Sequence, residues 1–151
     1  MALKKQFAAL PFRIRGSDLD VLLITTRRKR RWSLPKGWPI GATKPHRTAE
    51  IEAFEEAGLV GKAKAKAIGR YKHRKIKGRR KIICDVSAFP LKVRKQSKSW
   101  PDREERDAIW LSARKAAARV HKPKLSRLIE RLIRQRSSKL KRSPGTGSRN
   151  T

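Results

Sequence analysis

Glu52, Glu55 and Glu56 stand at i, i+3 and i+4 in a stretch that reads as helix, so they share one face with Cβ atoms about 5–6 Å apart. Like charges so placed destabilise a helix by roughly a few tenths of a kcal/mol per pair unless something neutralises them. The chain's own Lys and Arg side chains can serve, and the face is then simply solvated. A hard divalent cation is the other solution, because Mg²⁺ prefers oxygen ligands and typically takes one or two carboxylates plus substrate phosphates.

The charge pattern sharpens the choice. Forty-two Lys and Arg against twelve Asp and Glu give a net charge of +30 over 151 residues. Such a surface repels itself and attracts polyanions, with nucleic acid, polyphosphate and highly phosphorylated small molecules as candidates. Yet four of the twelve acids fall within residues 50–56. Carboxylates clustered there add nothing to phosphate binding, so they need a local reason. Residues 61–99 hold fifteen basic side chains and one acid.

The length fits one domain able to bury a core without disulfides or structural metal. Cys84 is the single cysteine, and no Cys/His cluster has zinc spacing. The apolar runs are far short of the roughly 20 residues that cross a bilayer, and residues 1–15 lack a secretory apolar region. A cytoplasmic protein of a reducing compartment is expected.

The elements around the glutamates follow from apolar pattern and punctuation. Residues 6–15 and 19–26 read as strands, the second buried on both faces. Residues 32–34 read as a short strand and 35–44 as a loop. The glutamate helix spans 45–57, with Pro45 in its first turn and Gly58 just past its end. Ile51 and Phe54 are expected to anchor it in the core. Strands are expected at 63–74 and 81–91, joined by a basic turn at Lys77-Gly78, and at 107–111. Helices follow at 112–120 and 123–136; in the latter, Leu125, Leu128, Ile129, Leu132 and Ile133 form an amphipathic stripe. A single mixed α/β (α+β) domain over 1–136 results, with a disordered Ser/Gly-rich basic tail at 137–151.

Between Gly37 and Leu59 the chain resembles the box of the Nudix family of pyrophosphate-bond hydrolases. Aligned without a gap, Gly37 is the first glycine, Glu52 the Glu of the Arg-Glu pair, Glu55 and Glu56 the Glu-Glu pair, Gly58 the final glycine and Leu59 the closing aliphatic. Thr43 stands in place of the first Glu and Ile51 in place of the Arg that usually orients a metal-binding Glu. Ala53 fills the aliphatic position. Residues 22–36, Lys44-Pro45-His46 and 107–123 are similar to the diphosphoinositol polyphosphate phosphohydrolase-like branch.

That resemblance implies an α/β/α sandwich with a mixed β-sheet and a loop-helix-loop box. It implies a hydrolase using Mg²⁺ or Mn²⁺ to cleave a phosphoanhydride in a highly anionic diphosphate: a nucleoside diphosphate derivative, a diphosphoinositol or dinucleoside polyphosphate, or an RNA 5′ end. Glu52, Glu55 and Glu56, with the Gly37 carbonyl, are then the metal ligands, and Glu55 or Glu56 orients or deprotonates the attacking water. Arg13, Arg28, Arg31 and Lys36 lie on segments that converge on the box in the resembled fold. Lys122 starts the last helix, where backbone N–H groups favour anions. The alternative is a weakly active or inactive scaffold that binds RNA or nucleotides, which Thr43 and Ile51 favour. Trp38 is the tryptophan placed to line a pocket, and the basic cluster at 72–81 reads either as an exposed hairpin or as a second phosphate-facing wall.

Overall fold

The structure, a computed structural model, describes residues 2–147, with side chains over 3–138. The chain folds as β1 (Ala2–Arg15), β2 (Asp18–Thr25), β3 (Trp32–Ser33), β4 (Lys36–Gly37), α1 (Pro45–Ala57), β5 (Leu59–Ala63), β6 (Gly69–Lys77), β7 (Arg80–Gln96), β8 (Ala108–Ser112), α2 (Ala113–Arg119) and α3 (Pro123–Gly147). All strands join one mixed sheet. β1 lies at its centre, antiparallel to β2 and β4 and parallel to β7, while β5 and β6 both pair antiparallel with β7.

Strand side chains alternate faces, and the core divides accordingly. Ala8, Leu10, Phe12, Val21 and Leu23 face one way, against Ala113, Ala116 and Ala117 of α2 and Leu125, Leu128, Ile129 and Leu132 of α3. Ala9, Leu22, Ile24, Phe89 and Leu91 face the other way, against Ala49, Ala53 and Ala57 of α1. The sheet is sandwiched between helices, as expected. No helix among the described residues is long and apolar enough to cross a membrane.

Four expectations need correction. Alanines anchor α1, not Ile51 and Phe54: Ile51 is 37% exposed, whereas Ala49, Ala53 and Ala57 are fully buried. Small residues let the helix axis lie close to the sheet, which leaves the large side chains at its flank. The strand expected at 63–74 is two strands, β5 and β6. β5 starts directly after Gly58 and bulges between Val60 and Gly61, where Gly61 lies against the Lys92 backbone. β7 runs past 91 to Gln96 because 91–96 pair with β5. Finally, α3 continues to Gly147 rather than ending at 136. Its apolar stripe stops near Ile133; Arg134, Gln135, Arg136, Lys139, Leu140, Lys141 and Arg142 are good helix formers, but the propensities of Pro144, Gly145 and Gly147 do not explain the last turn. Residues 148–151 of the expected tail lie outside the described residues.

Candidate active site

Glycines at both ends of α1 bring the glutamates to the sheet. Gly58 closes the helix in the left-handed conformation (φ 71°), its N–H donating to the Phe54 carbonyl at 2.8 Å. A side chain there would also collide with the Trp100 ring. Gly37, in β4, pairs with Phe7 of β1. A Cβ on Gly37 would occupy the Glu52 carboxylate. The missing side chain therefore makes a cradle in which Glu52 lies against the β4 backbone.

One residue earlier, the Lys36 N–H donates to Glu56 Oε1 at 3.2 Å. Glu56 is 9% exposed. Burial pushes its carboxyl upward, while Arg106 and Lys36 oppose that shift. Glu52 is pushed up to about 8, first by burial, then by repulsion from Glu56 and Glu55 and by a hydrogen bond with Glu56. Two neighbouring carboxyls raised by burial and by their proximity mark a site short of positive charge. Glu55 lies exposed on the same helix.

The donor set fits a divalent metal of the magnesium type, though it is not a ready-made cage. Among the described residues no three acidic, His or Cys side chains converge as a metal-binding group. Two paired carboxylates relieved by a cation are nevertheless the protein share of a typical Mg²⁺ site, substrate oxygens supplying the rest.

Sequence reasoning missed Arg106, in the segment between β7 and β8. Its Nη1 donates to the Thr25 carbonyl at 3.1 Å, its Nε lies 3.4 Å from Asp102 Oδ2 and its Nη2 lies 3.6 Å from Glu56 Oε2. The segment is itself tied to α1, since the Asp102 N–H donates to the Glu55 carbonyl at 2.9 Å. Ile51 stands exposed where the box has Arg, and Arg106 brings a guanidinium to the box glutamate from fifty-five positions further along. The hint in the sequence was the lone mixed-charge run at 102–107 in a basic chain.

The basic residues named from the sequence separate into two groups. Lys36 is near Glu56, and burial pushes its ammonium down against the pull of that carboxylate. Lys122 is pushed down by burial and then by Arg31 and Arg74. His73 is pushed down to about 4 by burial and then by Lys36, Lys122 and Lys75, so a neutral imidazole sits among cations. Lys36, Lys75, Lys122 and Arg31 thus lie within electrostatic reach of one another in succession around His73, with Lys36 the member beside Glu56. Gln6 joins them on the same sheet face, two residues before Ala8, which pairs with Lys36; it is buried with its Oε1 unpartnered.

Arg13 is not brought to the site. Arg13 bonds Asp20 at 3.1 Å and stacks over Trp110 at 4.0 Å, five residues along β1 from Ala8, or about 17 Å of strand. Arg28 is exposed in the turn between β2 and β3, without an ion pair to any described residue.

No family model matches the chain. It is 33% identical over 112 residues to Nudix hydrolase 21, chloroplastic, of Arabidopsis thaliana, covering 71% of this chain and 54% of that protein. It is 28% identical over 123 residues to Nudix hydrolase 12, mitochondrial, of the same plant, covering 78% and 60%. The chain thus spans little more than half the length of these curated relatives. Among solved structures, the Ap4A hydrolase of C. elegans superposes with a TM-score of 0.67 at 13% identity, over 89% of this chain and 98% of that one. The Nudix domain of Shewanella oneidensis NrtR, solved with ADP ribose, superposes with a TM-score of 0.66 at 15% identity, over 89% of both chains. At those identities the superpositions show the fold; the box and the plant relatives carry the kinship. The chain belongs to the Nudix hydrolase family.

Proposed function

We propose that this chain is a metal-dependent pyrophosphohydrolase that cleaves a phosphoanhydride in a highly anionic substrate. The observation that carries this reading is the Glu52–Glu56 pair, cradled at Gly37 and set beside Lys36, with Lys75, Lys122 and Arg31 beyond it. Glu52 and Glu56, with Glu55 and the Gly37 carbonyl, would hold Mg²⁺ or Mn²⁺, which would neutralise phosphoryl oxygens and acidify bound water.

The chain's own residues supply the rest. Lys36, Arg31 and Lys122 neutralise the non-bridging phosphate oxygens, Arg through a fork and Lys as a point charge. Glu56 is fixed by the Lys36 N–H and by Arg106, whereas Glu55 is open to solvent. Glu55 is therefore the better placed to take the proton of the attacking water. As the water oxygen bonds to phosphorus, the bridging P–O bond breaks and its electron pair leaves with the departing phosphate.

Substrates of this class include diphosphoinositol polyphosphates, dinucleoside polyphosphates, nucleoside diphosphate derivatives and RNA 5′ ends. The reading of a scaffold that binds without turnover rests on Thr43 and Ile51, and Arg106 weakens it by standing in for the box arginine. The test is phosphate release from a panel of these substrates with Mg²⁺, with Mn²⁺ and with chelator, on the parent chain and on Glu56→Gln. Metal-dependent turnover of one class, lost in the variant, is expected. Silence across the panel from a folded protein that binds the substrates would overturn the reading.

A further inference from the structure

The outer half of the β6–β7 hairpin covers no part of the core. Residues 74–81 are exposed on both strands, and Lys77 pairs with Arg80 across a two-residue turn in which Gly78 takes φ 65°. Seven of the ten residues at 72–81 are Lys or Arg and none is acidic. None of the seven has a carboxylate partner among the described ion pairs. Like charges directly opposite on a hairpin are destabilising, and a two-stranded ribbon is marginal by itself. Stability therefore does not explain the composition.

Strand alternation sorts the charges. Lys75 and Lys77 share one face with Arg80, the cross-strand partner of Lys77. At the inner end of that row stands Trp38, 38% exposed, with Lys75 Nζ 5.3 Å from its ring centroid. Trp38 directly follows Gly37, whose missing side chain makes room for the Glu52 carboxylate, so the indole that meets the hairpin is next in sequence to the candidate site. A row of cations tracking away from an accessible indole is the arrangement that binds single-stranded nucleic acid, backbone on the cations and a base on the ring. Inorganic polyphosphate has no π face for the indole, and a duplex keeps its bases stacked inside. We propose that this face of the hairpin, with Trp38, is a docking surface for single-stranded nucleic acid. It stands whether or not the chain is hydrolytic.

The test is binding of a 5′-labelled oligouridylate of about ten nucleotides, followed by fluorescence anisotropy in chelator across a salt series. Each phosphate contact adds about 0.7 to the slope of log K against log salt. The double variant Lys77→Gln/Arg80→Gln is expected to lower that slope by about 1.4. Lys72→Gln/Lys81→Gln removes the same charge from the opposite face and is expected to leave the slope near the parent's. Trp38→Ala is expected to weaken binding about 5- to 100-fold with the slope unchanged, and Trp38→Phe to recover most of the loss. All five side chains are exposed, so the fold is not at stake. Equal loss of slope from both double variants would reduce the effect to diffuse charge and overturn the proposal. So would oligouridylate binding indifferent to Trp38→Ala, which would make the ligand a bare polyphosphate, or equal affinity for a duplex of the same length.

Discussion

Glu52→Gln should make the metal-free protein more stable while abolishing its proposed chemistry. An unfolded chain ionises this carboxyl near 4.5, and the native fold holds the proton to about 8. Below 4.5 both states are protonated and the group costs nothing. From there upward the unfolded chain releases a proton that the native state retains, so native stability falls as pH rises. Above about 8 the loss is complete. At roughly 1.4 kcal/mol per pH unit the ceiling is about 5 kcal/mol, but Glu52 is only half-buried, and solvent screening reduces this to about 1–2 kcal/mol. Glutamine keeps the shape and cannot ionise. At pH 8.5 in chelator the variant should melt about 2–6 °C above the parent, and at pH 4.5 the two should coincide. Added Mn²⁺ should raise the parent's midpoint at pH 8.5 and the variant's much less. A variant that melts lower than the parent at pH 8.5, or a difference that does not change with pH, would refute the reasoning.

Other perturbations probe the remaining parts. Arg106→Ala strips Glu56 of its guanidinium at a position only 14% exposed; because its two carboxylate contacts are long, the expected cost is about 2–3 kcal/mol, the low end for a broken buried pair. Calorimetry should also show weakened Mn²⁺ binding, and Arg106→Lys should recover only part of each loss, since an ammonium gathers its donors at one point whereas the guanidinium reaches its three partners through three separate nitrogens; an Arg106→Ala protein with parental melting and metal affinity would show that the pairing is idle. Gly37→Ala places a methyl where the Glu52 carboxylate lies, and kcat should fall about 100-fold, the scale expected of a 1 Å displacement; parental turnover would refute the cradle. The His73 ring should titrate near 4 by NMR. Because the unfolded chain takes up that proton near 6.5, this group removes stability as pH falls from about 6.5 to 4, a loss that His73→Gln should abolish in acid melts.

The parts of this fold readable from sequence were those with local punctuation. Helix α1 runs from Pro45 to Ala57 as expected, because proline and glycine at its ends act on the backbone itself. The face it buries was misjudged, since Ile51 and Phe54 look more hydrophobic than Ala49, Ala53 and Ala57, yet how closely a helix can approach a sheet depends on the smallest residues. Arg106 was illegible for another reason. Its partners Glu56 and Thr25 lie fifty and eighty-one positions away, and no periodicity connects them. Arg13 was attractive by segment, but Asp20, in the opposite position on β2, claims it. That Glu52, Glu55 and Glu56 share one helix face was readable from their spacing; the burial that raises Glu52 and Glu56 was not.

The central strand of the sheet has a consequence for how the molecule must be made. β1 pairs in parallel with β7 from Ala2↔Ile82 to Phe12↔Lys92, so every rung joins residues about eighty positions apart. Loop closure over that distance is entropically unfavourable, and sheets rich in such pairings fold slowly. During synthesis β1 and β2 can form an early hairpin, but one long side of β1 stays open until residues 82–92 emerge, and an unpaired edge invites association with other chains. The stretch that emerges just before them, residues 61–81, carries eleven Lys and Arg and no acid, and its self-repulsion would keep nascent chains apart while that edge waits. On this view the charge that serves phosphate in the finished protein also protects the half-made one.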